Sequence, residues 1–284
     1  MDAVPPSSPF PQATWRILRT PPMSGSWNMA IDEALLESAA RGSSLPTLRL
    51  FAWQPACLSL GYAQPFSDVD AAALSRNQWQ QVRRPTGGRA ILHTDELTYS
   101  VTAPLNEARV AGSVLQSYCQ LAQALLAALQ HLGLAARSED EYPRPAGHPA
   151  AGGPVCFETP SNYEITANGK KIIGSAQARR LGCVLQHGSL PLDGDLTRVT
   201  RALHFAAEAD RAQAAARLLA HAATAENILG FAPTWQQAAQ AFEAGFASAL
   251  NLRWAPGELT AAEQQRAAQL VEEKYAADPW TQRV

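Results

Sequence analysis

Residues 80–101 read QQVRRPTGGRAILHTDELTYSV. Three β-like runs fall in this short span, at 80–84, 89–92 and 96–101, parted by a Pro-Thr-Gly-Gly turn and by Thr94-Asp95. A parallel pair needs a crossover of a dozen residues or more, and none fits between these runs. The stretch therefore argues against a doubly wound parallel sheet and for an α+β fold with a largely antiparallel or mixed sheet.

The flanks extend that reading. Upstream, 26–40 has helical periodicity, with Met29, Ala30, Leu35 and Leu36 apolar and Asp32, Glu33 and Glu37 polar. Strands are expected at 47–51 and 57–61 and a short helix at 68–76. Downstream, 113–132 is a helix stopped by Gly133. A Pro/Gly-rich loop follows at 141–154, EYPRPAGHPAAGGP. The runs 162–167 and 170–173 flank Asn168-Gly169, a two-residue hairpin signal, and another strand covers 182–190. Helices are expected at 197–222, 234–249 and 259–275. The expected organisation is a flexible arm at 1–13, a catalytic domain at 14–195 and a helical C-terminal part at 196–284 packed on the same domain.

Composition limits the function. The chain has 284 residues, 46% hydrophobic and 17% charged, with a net charge of -2. That is a globular composition without a global field for nucleic acid or an anionic membrane. The start, MDAVPPSSPFPQATW, lacks the basic and apolar regions of a signal peptide, and no uncharged apolar run reaches spanning length. A cytoplasmic protein is expected. The four cysteines form no CxxC pair, which argues against zinc and a disulfide scaffold.

Four places could carry chemistry. In RRPTGGRAILH, Arg83 to His93, glycines let backbone approach a ligand while guanidiniums suit a carbonyl, carboxylate or phosphate. On spacing alone the better reading is a hairpin turn with exposed arginines, since a Gly-Gly turn is common, and it is no P-loop. Cys156, in PVCFETPS, is the one cysteine outside an apolar run; Cys57, Cys119 and Cys183 read as packed residues. Lys170 and Lys171 open a strand, so one ammonium faces inward and needs a partner. His187, in LQHGS, is a candidate donor to a substrate carbonyl, or a structural histidine.

Taken in order, WNMAIDEALL, RRPTGGRAILHTDELTYS, GKKIIGSAQAR and LQHGSLPL resemble the lipoate-protein ligase, octanoyltransferase and biotin-ligase superfamily across about two thirds of the chain. The resemblance implies the biotin/lipoate-ligase catalytic fold, a class II synthetase-like mixed sheet with flanking helices. It implies that the Arg-Gly-Gly turn and the KIIGSA strand line an acyl tunnel. GGRA in place of GGGA, CFETPS before the hairpin and LQHGS after it look like the octanoyltransferase branch of the LipM type. Thr94 stands where many members have aspartate.

The implied activity is transfer of octanoyl from octanoyl-acyl carrier protein, through a cysteine thioester, to a lysine of a lipoyl domain such as glycine-cleavage H protein. Carried over by motif, Cys156 is the nucleophile and Lys171 lowers its pKa. Arg83, Gly87, Gly88, Arg89, His93, Gly174, Ser175, His187 and Gly188 are the substrate-binding candidates. No metal or cofactor is expected. The alternative is an ATP- and Mg-dependent lipoate or octanoate ligase. Nucleic-acid and membrane partners are not expected. Arg83, Arg84, Arg89, Arg179 and Arg180 are the candidates for a local positive surface toward acidic protein partners.

Overall fold

A computed structural model describes residues 8–139 and 164–284; Cys156 and the loop at 141–154 lie outside them. The chain opens with β1 (Ala13–Arg19), then helix α1 (Gly25–Ala40), β2 (Thr47–Phe51) and β3 (Cys57–Leu60). Helix α2 (Ala71–Asn77) leads into β4 (Gln80–Arg83), β5 (Ile91–His93) and β6 (Glu96–Pro104). Helix α3 (Val114–His131) and β7 (Ala136–Glu139) follow, then β8 (Glu164–Ala167), β9 (Lys170–Arg180) and β10 (Cys183–Pro191). The remainder runs α4 (Arg198–Arg201), α5 (Glu208–His221), α6 (Ala225–Leu229), α7 (Trp235–Leu250), β11 (Leu252–Pro256), α8 (Ala261–Leu270) and α9 (Asp278–Thr281).

Local signals explain many of these boundaries. Ser113 and Gln116 form a capping box at the start of α3, and Gly133 ends it at a φ of +83°. Asn168 and Gly169 both take positive φ, as a tight β8–β9 turn requires.

The strands make two mixed sheets. The larger runs β11-β1-β2-β6-β10-β9-β8-β7, with β11, β1 and β2 parallel and the rest antiparallel. The smaller runs β4-β3-β5. Side chains alternate across strands and so sort into two layers. Ile17, Leu50, Tyr99, Val101 and Val184 face α3 and α7 in one core, while Leu18 and Phe51 pack with α1 and α8 in another. The residues between them on β2, β6 and β10 (Arg49, Ser100, His187) turn toward α1, which is covered on both sides by the two sheets.

Three expectations change. The Gly87-Gly88 link is not a hairpin: β4 and β5 lie on opposite sides of β3, so the turn steps across it. The expected helix at 197–222 is broken between α4 and α5, where Val69 and Leu203 form a β-bridge and His204 N donates to Asp68 O. The C-terminal part is not purely helical. Its β11 extends the large sheet by pairing with β1, a strand hidden behind the Pro-rich start. That start is anchored from Ser8, whose hydroxyl donates to Ala249 O.

Candidate active site

A cleft of about 360 Å³ lies between α1, the Arg84 turn and the centre of β9 and β10. His93, Gly174, Ser175, His187 and Gly188 all line it, together with Met29, Trp53, Ser59, Arg84 and Ser189. The antiparallel register sets His187 opposite Ala176 and Ser189 opposite Gly174, on one face of the sheet. Gly188 is where two strands crowd: a Cβ there would sit 2.5 Å from Gly174 O and 2.8 Å from the Tyr99 ring.

Each histidine is the middle link of a buried chain running from a carboxylate to a hydroxyl. In the first, Asp32 Oδ2 lies 3.4 Å from His187 Nδ1, and His187 Nε2 lies 2.7 Å from Thr86 Oγ1. Arg49 Nη1 and Ser100 Oγ both donate to Asp32 Oδ1 at 2.8 Å, and Arg49 is 0% exposed. Burial alone would raise the Asp32 carboxyl, but the His187 bond, the Arg49 charge and Ser100 outweigh it and hold the acid below its ordinary range. Burial pushes the His187 imidazole down. Arg84 and His93 add to that, and the Asp32 carboxylate does not reverse it.

In the second, Glu96 Oε1 lies 2.7 Å from His93 Nδ1, and His93 Nε2 lies 2.7 Å from Ser59 Oγ. Ser189 and Thr98 also donate to Glu96 Oε1, and Trp53 stacks on His93 with centroids 3.9 Å apart. Burial opposes ionisation of Glu96, but His93, Thr98 and Ser189 together hold its carboxyl below the usual range.

Arg84 joins the two chains. Its guanidinium donates to Ser59 O and Oγ on one side and to the carbonyls of Gly87 and Arg89 on the other. Gly61 passes so close beneath the turn that a Cβ there would sit 1.9 Å from Gly88 O. Gly87 and Gly88 are exposed, with Gly88 at a φ of +93°, and they are not among the residues that line the cleft, although Arg84, which holds their turn, is.

Other expected residues fall elsewhere. Arg83 is 0% exposed and donates to Gly61 O, Gln64 O and Thr281 O, so it braces the backbone. Arg84 is 3% exposed, and neither arginine contributes to a positive surface. Arg89 is half-buried beside the turn, and Arg180 is exposed. Lys171 is 5% exposed, with its Nζ 2.8 Å from Glu164 Oε1, while Lys170 reaches outward to Leu219 O. The inward and outward lysines follow strand alternation as expected. Burial raises the Cys57 and Cys183 thiols; Cys119, expected in the core, is only half-buried.

Asp32, Ser59, Arg84, Thr86 and Glu96 were not singled out in the sequence as site residues. A second cleft of about 510 Å³ carries Asp95, Asp193 and Asp195, with Asp95 paired to Arg198. Among the described residues, no three His, Cys, Asp or Glu side chains group as a metal site would need.

Residues 24–247 match the family model described as the Lipoyl protein ligase A/B catalytic domain. The chain belongs to this family. It is 41% identical to an octanoyltransferase LipM of Kyrpidia tusciae, over 95% of this chain and 99% of that one. It is also 41% identical to an octanoyltransferase LipM of Symbiobacterium thermophilum, over 96% and 99%. Among solved structures, a bipartite lipoate protein ligase of Thermoplasma acidophilum superposes with a TM-score of 0.78 at 23% identity, over 95% of this chain and 96% of that one. A lipoate-protein ligase A bound with ATP superposes at 0.76 and 24% identity, over 95% and 99%. These structures share the family's fold, the α+β arrangement expected from the sequence. No helix among the described residues is long and apolar enough to cross a membrane.

Proposed function

We propose that this protein is an octanoyltransferase of protein lipoylation that moves octanoyl from acyl carrier protein, through a thioester on Cys156, to a lysine of a lipoyl domain. The observation that carries the transferase reading is the near-full-length identity of 41% to octanoyltransferases named LipM. The apolar cleft with glycines at its strand crossing suits an acyl chain, and the histidine-lined part suits the carbonyl end.

In this reading the Cys156 thiolate attacks the donor thioester carbonyl. The new C–S bond forms as the pantetheine thiolate leaves, and the leaving sulfur takes up a proton. A neutral lysine amine of the acceptor then attacks the octanoyl-enzyme. The C–N bond forms, the C–S bond to Cys156 breaks, and the amine's proton leaves with the release of the thiol. The product is an amide, so no nucleotide is consumed. Lys171, an ammonium held inside the fold by Glu164, is assigned to favour the thiolate electrostatically.

The test is intact mass after mixing the protein with octanoyl-acyl carrier protein, with and without a lipoyl domain and ATP. A hydroxylamine-labile octanoyl adduct on Cys156, passed to the lipoyl domain without ATP, is the expected result. Transfer by Cys156→Ser at the wild-type rate refutes the thioester route. Transfer that requires ATP and survives that substitution supports the ligase chemistry instead.

A further inference from the structure

The Asp32–His187–Thr86 chain runs from α1 and β10 into the substrate turn. Asp32 is on α1, His187 on β10, and Thr86 lies between Arg84 and Gly87. All three are buried, at 0%, 7% and 1% exposure. Thr86 is held twice, by its side chain to His187 and by its carbonyl, which accepts from Tyr62 N at 2.8 Å.

The chain leaves no freedom in where its protons sit. The Asp32 carboxylate, charged beside Arg49, can only accept, and Arg49 and Ser100 both occupy Oδ1. Oδ2 is left to face His187 Nδ1. A buried, neutral imidazole has one N–H, so that proton must be on Nδ1. Nε2 is then bare and can only accept, and the Thr86 hydroxyl must donate. Arg84 meanwhile takes the carbonyls of Gly87 and Arg89, so the turn is gripped on either side of its glycines.

We infer that Asp32 is a positioning residue for the substrate turn: it selects the His187 tautomer that anchors Thr86 and so fixes the turn that carries Gly87 and Gly88. Asp32 acts at a distance, through a ring and a hydroxyl. The kinetic arm of the following test rests on the transferase reading, but the spectroscopic arm does not.

Asp32→Asn discriminates, because Arg49 and Ser100 keep the amide oxygen at the Oδ1 position. The amide NH₂ then faces His187 Nδ1 and forces the proton to Nε2. Ring-nitrogen NMR of His187, assigned with a His187→Gln variant, should show the Nδ1–H form in the wild type and the Nε2–H form in Asp32→Asn. A wild-type ring in the Nε2–H form or a mixture, or no change in the variant, overturns the inference. Thr86→Val and Thr86→Ser serve if Asp32→Asn does not fold. Losing one such hydrogen bond should raise the KM for octanoyl-acyl carrier protein about tenfold with kcat little changed, and serine should restore it. Wild-type KM in Thr86→Val also overturns the inference. If the wild type takes up no octanoyl at all, the transferase reading fails, and the imidazole spectrum alone decides the role of Asp32.

Discussion

The two carboxylate–histidine–hydroxyl chains share a form and differ in charge. Asp32 has a buried guanidinium, Arg49, at 2.8 Å, whereas among the described residues no arginine or lysine pairs with Glu96. Asp32 is shared between Arg49 at 2.8 Å and His187 at 3.4 Å. Glu96 keeps its charge for His93, at 2.7 Å. Similar constellations can therefore do different work. The first is locked into one proton arrangement and suits orientation; the second gathers His93, Thr98 and Ser189 on a single carboxylate oxygen beside the cleft.

The largest break in this comparison should come from Arg49→Met. It strands a buried carboxylate, and such losses cost about 3–5 kcal/mol. Urea unfolding should show that, while Glu96→Gln, with no cation to strand, should cost about 1–3 kcal/mol. Equal losses would mean that the two carboxylates are not held differently.

The acid limb sharpens the contrast. The folded state holds Glu96 below its ordinary value of 4.5, so the unfolded chain binds the proton more readily. Its contribution is present above that value and is lost as the pH falls through the folded-state pKa. Glu96→Gln should flatten the fall in stability below about pH 4.5. A fall as steep as in the wild type would show that Glu96 is not the group responsible.

The smallest effect concerns His187. Its folded-state pKa lies below 6.5, so the unfolded state again binds the proton first. Stability from this group is complete above pH 6.5 and declines on acidification, by no more than about 1.4 kcal/mol per pH unit. His187→Gln should remove that slope between pH 6.5 and 5, read as melting temperature against pH. An unchanged slope would mean that burial does not keep this ring neutral.

Much of the frame was legible because its signals are local. Asn168-Gly169 and Gly133 state their turn and cap outright, and 47–51 and 182–190 read as strands from composition. β1 was missed behind the Pro-rich start, and β11 because it acquires its meaning only by pairing with β1, more than two hundred residues away. The site shows the same division. His93, Gly174, Ser175, His187 and Gly188 lie on predicted motifs and converge on one cleft. Arg83 was misplaced because sequence cannot distinguish a guanidinium aimed at ligand from one aimed at backbone carbonyls.

Asp32 read as part of a polar helix face because helical periodicity assumes one wet side, and α1 is covered on both. Ser59 and Glu96 left faint signals: a hydroxyl inside the apolar run CLSL, and a carboxylate three positions after His93. Neither signal names its partner without the register of β3, β5 and β6.

The parallel pairing of β1 with β11 has a consequence for the order of assembly. As the chain leaves the ribosome, β1 emerges before β2, its neighbour on one side. Its other edge has no mate until residues 252–256 are made. Between the synthesis of β2 and that of β11, therefore, the nascent protein carries an unpaired strand edge beside Trp15 and Ile17, the arrangement most open to pairing with a neighbour. Among the described strands, the last to be made is the one that closes that edge.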